Sequence, residues 1–159
     1  MQISCITKIV SGGQTGADRA ALDWAIEYEI PHGGWCPKGR LAEDGEIPAR
    51  YQLQESQSKN YLQRTEWNVR DSDGTVIFTM EPHLSGGSKR TAEFARKLHK
   101  PWLHISHTMP LEECAEHLHH FIKKHEIEVL NVAGTRGSKE PEVGAFVRAV
   151  LDAVQEARG

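Results

Sequence analysis

The apolar positions of this chain change period repeatedly. Ile6, Ile9 and Val10 form a short apolar run that predicts a strand over residues 6–11. Ala17, Ala21, Leu22, Ala25 and Ile26 then recur at helical spacing and predict a helix over 16–29. A short stretch around Gly34-Trp35-Cys36 reads as a second strand. Residues 37–58 lose all periodicity and carry the breakers Pro37, Gly39, Gly45 and Pro48. A helix is expected over 59–70, and Thr75-Val76-Ile77-Phe78-Thr79-Met80 reads as a buried strand. Ala92, Ala95 and Leu98 mark a helix over 88–99, followed by a strand over 102–106. Leu111, Cys114, Ala115, Leu118, Phe121 and Ile122 trace one helical face. Glu128 to Ala133 is the last strand, and Val143, Phe146, Val147, Val150, Leu151 and Val154 trace the last helix.

Short, near-continuously apolar strands separated by helices imply an α/β fold. The expected form is a mostly parallel sheet of about five strands with helices on both faces, three layers in all. Right-handed crossovers bring the loops after the strands to one edge, where ligands of such sheets bind. At 159 residues the chain is read as a single domain over 1–159. The 37–58 stretch is long for a connection in so small a domain and points to function.

Three glycine-bearing turns follow predicted strands. The first is Ser11-Gly12-Gly13-Gln14-Thr15-Gly16-Ala17-Asp18. The second is Ser85-Gly86-Gly87-Ser88-Lys89-Arg90-Thr91, and the third is Asn131-Val132-Ala133-Gly134-Thr135-Arg136-Gly137-Ser138. A strand that ends in glycines and turns into a helix is suited to an anion, because the backbone can approach closely and the first helical N–H groups point outward. The expected phosphate ligands are the backbone N–H groups of Gly12, Gly13, Thr15 and Gly16. Gln14, the turns at Gly86, Gly87 and Ser88 and at Gly134 and Thr135, and the charges of Arg136, Lys38 and Arg40 are expected to complete the site. Thr15 and Asp18 have capping-box spacing, which predicts that Thr15 caps the first helix. Pro141 is expected within the first turn of the last helix. Neither a Walker A loop nor Gly-x-Gly-x-x-Gly is present, which argues against an ordinary NTPase or dinucleotide dehydrogenase.

Composition narrows the classes further. Charged residues make up 26% and the apolar set 38%, as in a soluble domain. The net charge of −3 argues against general nucleic-acid binding. No apolar run approaches the ~20 residues of a membrane span. The first five residues, Met1 to Cys5, lack the pattern of a signal peptide, and Cys5, Cys36 and Cys114 are odd in number and widely spaced, so a reducing cytoplasm is expected.

Other polar groups offer chemistry of their own. Trp35 suits stacking on a flat ring, or anchoring the long loop. The acids Asp18, Glu43 and Asp44 are the candidates for a general acid or base. Arg64 to Asp73 is rich in polar side chains, which either read ligand hydroxyls and ring nitrogens or form a helix end capped by Asp71 or Asp73. His117, His119 and His120 are expected on a solvent face, and His32 with Cys36 lacks further ligands, so no protein-ligated metal is expected.

Read together, Ser11 to Ala20, His32 to Arg40, Glu43-Asp44-Gly45, Arg64-Thr65-x-x-Asn68-Val69-x-Asp71-Ser72-Asp73 and Asn131-Val132-Ala133-Gly134-x-Arg136 resemble the circularly permuted YpsA-like family of the SLOG superfamily, whose members carry the label of molybdenum carrier proteins. The resemblance spans nearly the whole chain. It implies a Rossmann-like fold, permuted so that the strand and turn at Val132–Arg136, which open the unpermuted relatives, come last. It implies a nucleotide or nucleotide-like ligand, with the molybdenum cofactor (molybdopterin, a pterin with a phosphate tail) as candidate, and a homo-oligomer. Relatives of the LOG type release a base from nucleoside monophosphates with Pro-Gly-Gly-x-Gly-Thr followed by glutamates. Here Ser11 replaces the proline, Thr15-Gly16 inverts the Gly-Thr order, and Asp18 is the acid. The expectation is therefore a small-molecule carrier, with a nucleotide-processing hydrolase or a nucleotide sensor as alternatives.

Overall fold

Alternating apolar runs and helical faces fold as expected into a Rossmann-like α/β domain. The computed structural model describes residues 6–158, so Cys5 and the other residues of the N-terminal segment lie outside the described residues. The chain runs β1 (Lys8–Val10), α1 (Ala17–Glu27), β2 (His32–Gly33), β3 (Trp35–Cys36), β4 (Leu41–Ala42), β5 (Gly45–Glu46), β6 (Gln54–Glu55) and α2 (Tyr61–Arg70). It continues with β7 (Gly74–Thr79), α3 (Gly86–Lys97), β8 (Trp102–Ser106), α4 (Leu111–Lys124), β9 (Val129–Gly134) and α5 (Val143–Arg158).

Five strands form the central sheet in the order β2-β1-β9-β7-β8, and every neighbouring pair is parallel. β7 is buried along its whole length, because it lies between β9 and β8 and is covered on both faces. α1, α4 and α5 pack together on one face, and α2 packs with α3 on the other. The main core lies under the first three of these helices, where Trp24, Leu118, Phe121 and Phe146 pack with Val76, Phe78 and Val132 of the strands. A smaller cluster of Leu22, Cys36, Ile47 and Tyr51 fixes the long loop onto α1.

β1 leads to α1 on one face, whereas β7 leads to α3 on the other. The direction of winding thus reverses beside β9, and a crevice opens at the strand ends there.

The structure departs from the sequence reading in several places. The expected strand around residues 34–36 is two strands. His32–Gly33 joins β1 in the central sheet, and Trp35–Cys36 pairs with Gln54–Glu55 in a separate ladder. Gly34 makes the break: its φ is +128°, and a Cβ there would lie 2.2 Å from Ser11 O. Thr15 does not cap α1, whose N-cap is Gly16 with no side-chain cap bond. α3 begins at Gly86, so the glycines of the second turn belong to the helix itself. Pro141 precedes α5 by two residues, outside its first turn. Asp71 is the C-cap of α2, in line with one of the two readings of this segment, with its N–H donating to Trp67 O and Val69 O, and its carboxylate receives the Trp35 indole N–H. Asp73 caps no helix end; its carboxylate accepts from the Glu128 and Val129 N–H groups at the start of β9.

Candidate functional site

A cleft of about 250 Å³ opens at the carboxyl ends of β7 and β9. Its walls come from the start of α3, the loop after β9 and the first turns of α2. The first turn reaches it only through Gln14 and Asp18.

The α3 wall is the open one. Ser85 is the N-cap, yet its hydroxyl makes no cap bond and instead accepts from Lys139 Nζ at 3.0 Å. Gly86 has φ +52°, and a Cβ on Gly86 or Gly87 would meet no atom within 4 Å. The N–H groups of Gly86, Gly87 and Ser88 lie in the first turn of the helix, where no intrahelical acceptor exists. His83, Arg90 and Arg136 add cationic or protonatable groups around them. Glu140 holds the loop after β7, accepting from the Met80 N–H at 2.9 Å and the Glu81 N–H at 3.3 Å. On the α3 side the arrangement is one of N–H donors and cations, which suits an oxyanion, while the carboxylates of Glu81 and Glu140 line the cleft beside the loop after β7.

The first and third turns are filled by protein. Gly12 and Gly13 are buried. A Cβ on Gly12 would lie 2.0 Å from Arg64 Nη1, and one on Gly16 would lie 2.5 Å from Thr135 O. A Cβ on Gly134 would lie 2.2 Å from Phe78 O. The start of α1 is itself occupied, since the Ala17 N–H donates to Thr135 O at 3.1 Å and the Gln14 N–H to Asp18 Oδ2 at 3.2 Å. Beside the expected phosphate ligands Gly12, Gly13 and Gly16 the space a side chain would fill is thus taken by protein, and the third turn closes against the first through Thr15 and Gly16.

Asp18 sits at the floor of the cleft, 4% exposed. Arg64 Nη1 stands 3.5 Å from its Oδ2. Burial pushes the Asp18 carboxyl above the usual carboxylate range, against the pull of Arg64, the Gln14 N–H and the Ser11 hydroxyl. Tyr61 and Leu62, each 39% exposed, form an apolar wall opposite.

The other two acids have different work. Glu43 and Asp44 form the tip of the β4–β5 hairpin. Glu43 accepts from the Thr15 hydroxyl, from Ser138 Oγ at 2.6 Å and from the Ser138 N–H at 3.2 Å. It thereby ties the first turn to the third. Ser138 and then Thr15 hold its carboxyl below the ordinary value. Asp44 pairs in two bonds with Arg19, at 2.6 and 2.8 Å, and this hydrogen-bonded pairing lowers its carboxyl too.

Lys38 and Arg40 do not line this cleft. Arg40 donates to the carbonyls of Ile47, Pro48, Leu53 and Tyr51 and so organises the long loop. Trp35 packs edge-on against Trp67, with ring centroids 4.8 Å apart, beside a separate polar groove rather than in the cleft. His117 and His120 are exposed, whereas His119 is partly buried. Among the described residues no group of three or more His, Cys, Asp or Glu side chains is placed to hold a metal ion. Sequence reasoning missed Tyr61, Lys139 and Glu140. Lys139, three residues after Arg136 in the same loop, was the one with a visible signal.

A parallel sheet wound in both directions, with its cleft where the winding reverses, defines the Rossmann-like class of α/β proteins. Within that class, the chain belongs to the circularly permutated YpsA SLOG family, whose model matches residues 9–155. A solved structure of a protein named "putative molybdenum carrier protein", from Syntrophus aciditrophicus SB, is similar over 95% of this chain and 96% of its own, at 50% identity and a TM-score of 0.93. No curated protein matches the chain.

Proposed function

We propose that the protein is a carrier for a phosphorylated heterocycle, held with its phosphate at the start of α3 and its ring against Tyr61 and Leu62. The observation that carries this reading is the open helix start at Gly86 and Gly87, ringed by Lys139, Arg136, Arg90 and His83. A cavity of about 250 Å³ suits one ring system and a phosphate. The molybdenum cofactor is the favoured cargo, since the solved relative bears a carrier name and the cofactor joins a flat pterin to a phosphate. The residues fit such a group: helix N–H donors and ammonium for the phosphate, an aromatic face and buried polar atoms for the ring.

Holding is favoured over turnover because Glu43 and Asp44 are committed to tying loops together. Asp18 supports a second reading. A carboxyl whose burial at a cleft floor raises its affinity for a proton is suited to act as an acid in cleaving an N-glycosidic bond. Titration calorimetry with pterin phosphates and nucleoside monophosphates tests the first reading; binding by none at millimolar ligand overturns it. Release of base from a nucleoside monophosphate, abolished in Asp18→Asn, would establish the second in its place. The same reading takes the working place to be the cytoplasm. A homo-oligomer is expected, to be checked by light scattering.

A further inference from the structure

Two residues that line the cleft each carry a buried polar atom without a partner. Gln14 Oε1 and Arg64 Nε are buried and make no hydrogen bond. Gln14 is only 2% exposed, and both residues line the cleft. The amide of Gln14 is oriented by its Nε2, which donates to Leu41 O at 3.0 Å. Its oxygen is therefore the acceptor left over. Arg64 is fixed as well. Its Nη1 faces Asp18 Oδ2 at 3.5 Å, its guanidinium carbon lies 5.7 Å from the Tyr61 ring centroid, and the missing side chain of Gly12 makes room for it. Buried polar groups without partners are uncommon and destabilising, so an acceptor and a donor left unpaired on two cleft-lining residues call for an account.

We propose that Gln14 and Arg64 select the ring of the ligand by taking an edge on which a hydrogen-bond donor adjoins an acceptor, as on the amide edge of a 6-oxopurine or an oxopterin. The inference rests on the reading that the cleft holds a phosphorylated heterocycle. The ring N–H donates to Gln14 Oε1, and Arg64 Nε–H donates to the ring carbonyl. A ring without that N–H leaves Gln14 Oε1 as it is now, buried and unpaired, and binds more weakly. Phosphate affinity arises at α3 and ring selectivity at Gln14 and Arg64, so the two are separable by experiment.

Titration calorimetry with inosine 5′-monophosphate, purine riboside 5′-monophosphate and ribose 5-phosphate makes that separation. Inosine 5′-monophosphate is expected to bind roughly tenfold or more tighter than purine riboside 5′-monophosphate, which lacks both the N–H and the carbonyl. Gln14→Met should bring the two within about twofold while leaving ribose 5-phosphate unchanged. Arg64→Lys, which keeps a cation beside Asp18, should narrow the preference in the same direction and serves if Gln14→Met fails to fold. Equal binding of the two purines by the unaltered protein, or a preference that survives in the folded variants, overturns the inference and leaves the phosphate reading standing. If none of the three binds, ribose 5-phosphate included, both fall.

Discussion

The first and second glycine turns use similar letters for opposite purposes. Both follow a parallel strand and both lead into a helix. At Ser11–Asp18 the space that glycine frees is occupied by Arg64, Leu53 and the Thr135 backbone, and the start of α1 is plugged by a carbonyl. At Ser85–Ser88 the freed space is open, and the N-cap hydroxyl is drawn away by Lys139. A glycine pattern records that something comes close to the backbone. It does not record whether that something is the protein or a ligand.

Substituting matched glycines breaks the comparison most directly. Gly16→Ala puts a Cβ 2.5 Å from Thr135 O at φ +83°, and a loss of about 3 kcal/mol or more in denaturant unfolding is expected. Gly87→Ala meets nothing within 4 Å and should leave stability unchanged or raised by up to about 1 kcal/mol. Its methyl group, standing in the proposed phosphate position, should weaken phosphate-bearing ligands by about tenfold, roughly 1.4 kcal/mol. Similar stability losses for the two variants would erase the distinction. A smaller effect is expected from Lys139→Ala, about three- to fivefold in affinity, with a shallower dependence on salt because one screened charge is gone.

The smallest expected effect concerns the hairpin that ties the filled turns. The folded state favours ionised Glu43, so this contribution is complete above the ordinary value of 4.5 and is lost as pH falls through the lower folded value. Between about pH 5 and pH 3 the unaltered protein should therefore lose stability more steeply than Glu43→Gln, by under about 1 kcal/mol for a surface group. Parallel unfolding curves across that range would mean that the hairpin does not hold the turns together.

Much of the fold was legible because its signals are local. The buried strand expected at Thr75–Met80 is found at Gly74–Thr79, and the face traced by Cys114 to Ile122 is the buried face of α4, although Leu111, expected on it, is exposed. The site was less legible because its decisive contacts join distant residues. Arg40 looks like a phosphate clamp until the carbonyls of residues 47–53 surround it. Thr15 and Asp18 have the spacing of a capping box. Glu43, however, takes the threonine from the far side of the loop, and Arg64 stands against the aspartate. Gly34 gave no sign that it would split a strand, since what forces its φ is the Ser11 backbone.

The position of β9 has a consequence for how the molecule comes into being. The strand lies second in neither direction from an edge but in the middle of the sheet, and it bonds to β1 across a separation of about 121 residues. During synthesis, β1 with β2 and β7 with β8 emerge as two half-sheets with a gap between them. Neither half can close on the other until the ribosome has delivered β9. Closure of the sheet is thereby tied to the arrival of β9: a nascent chain interrupted before residue 129 leaves the edges of β1 and β7 unpaired and open to mispairing.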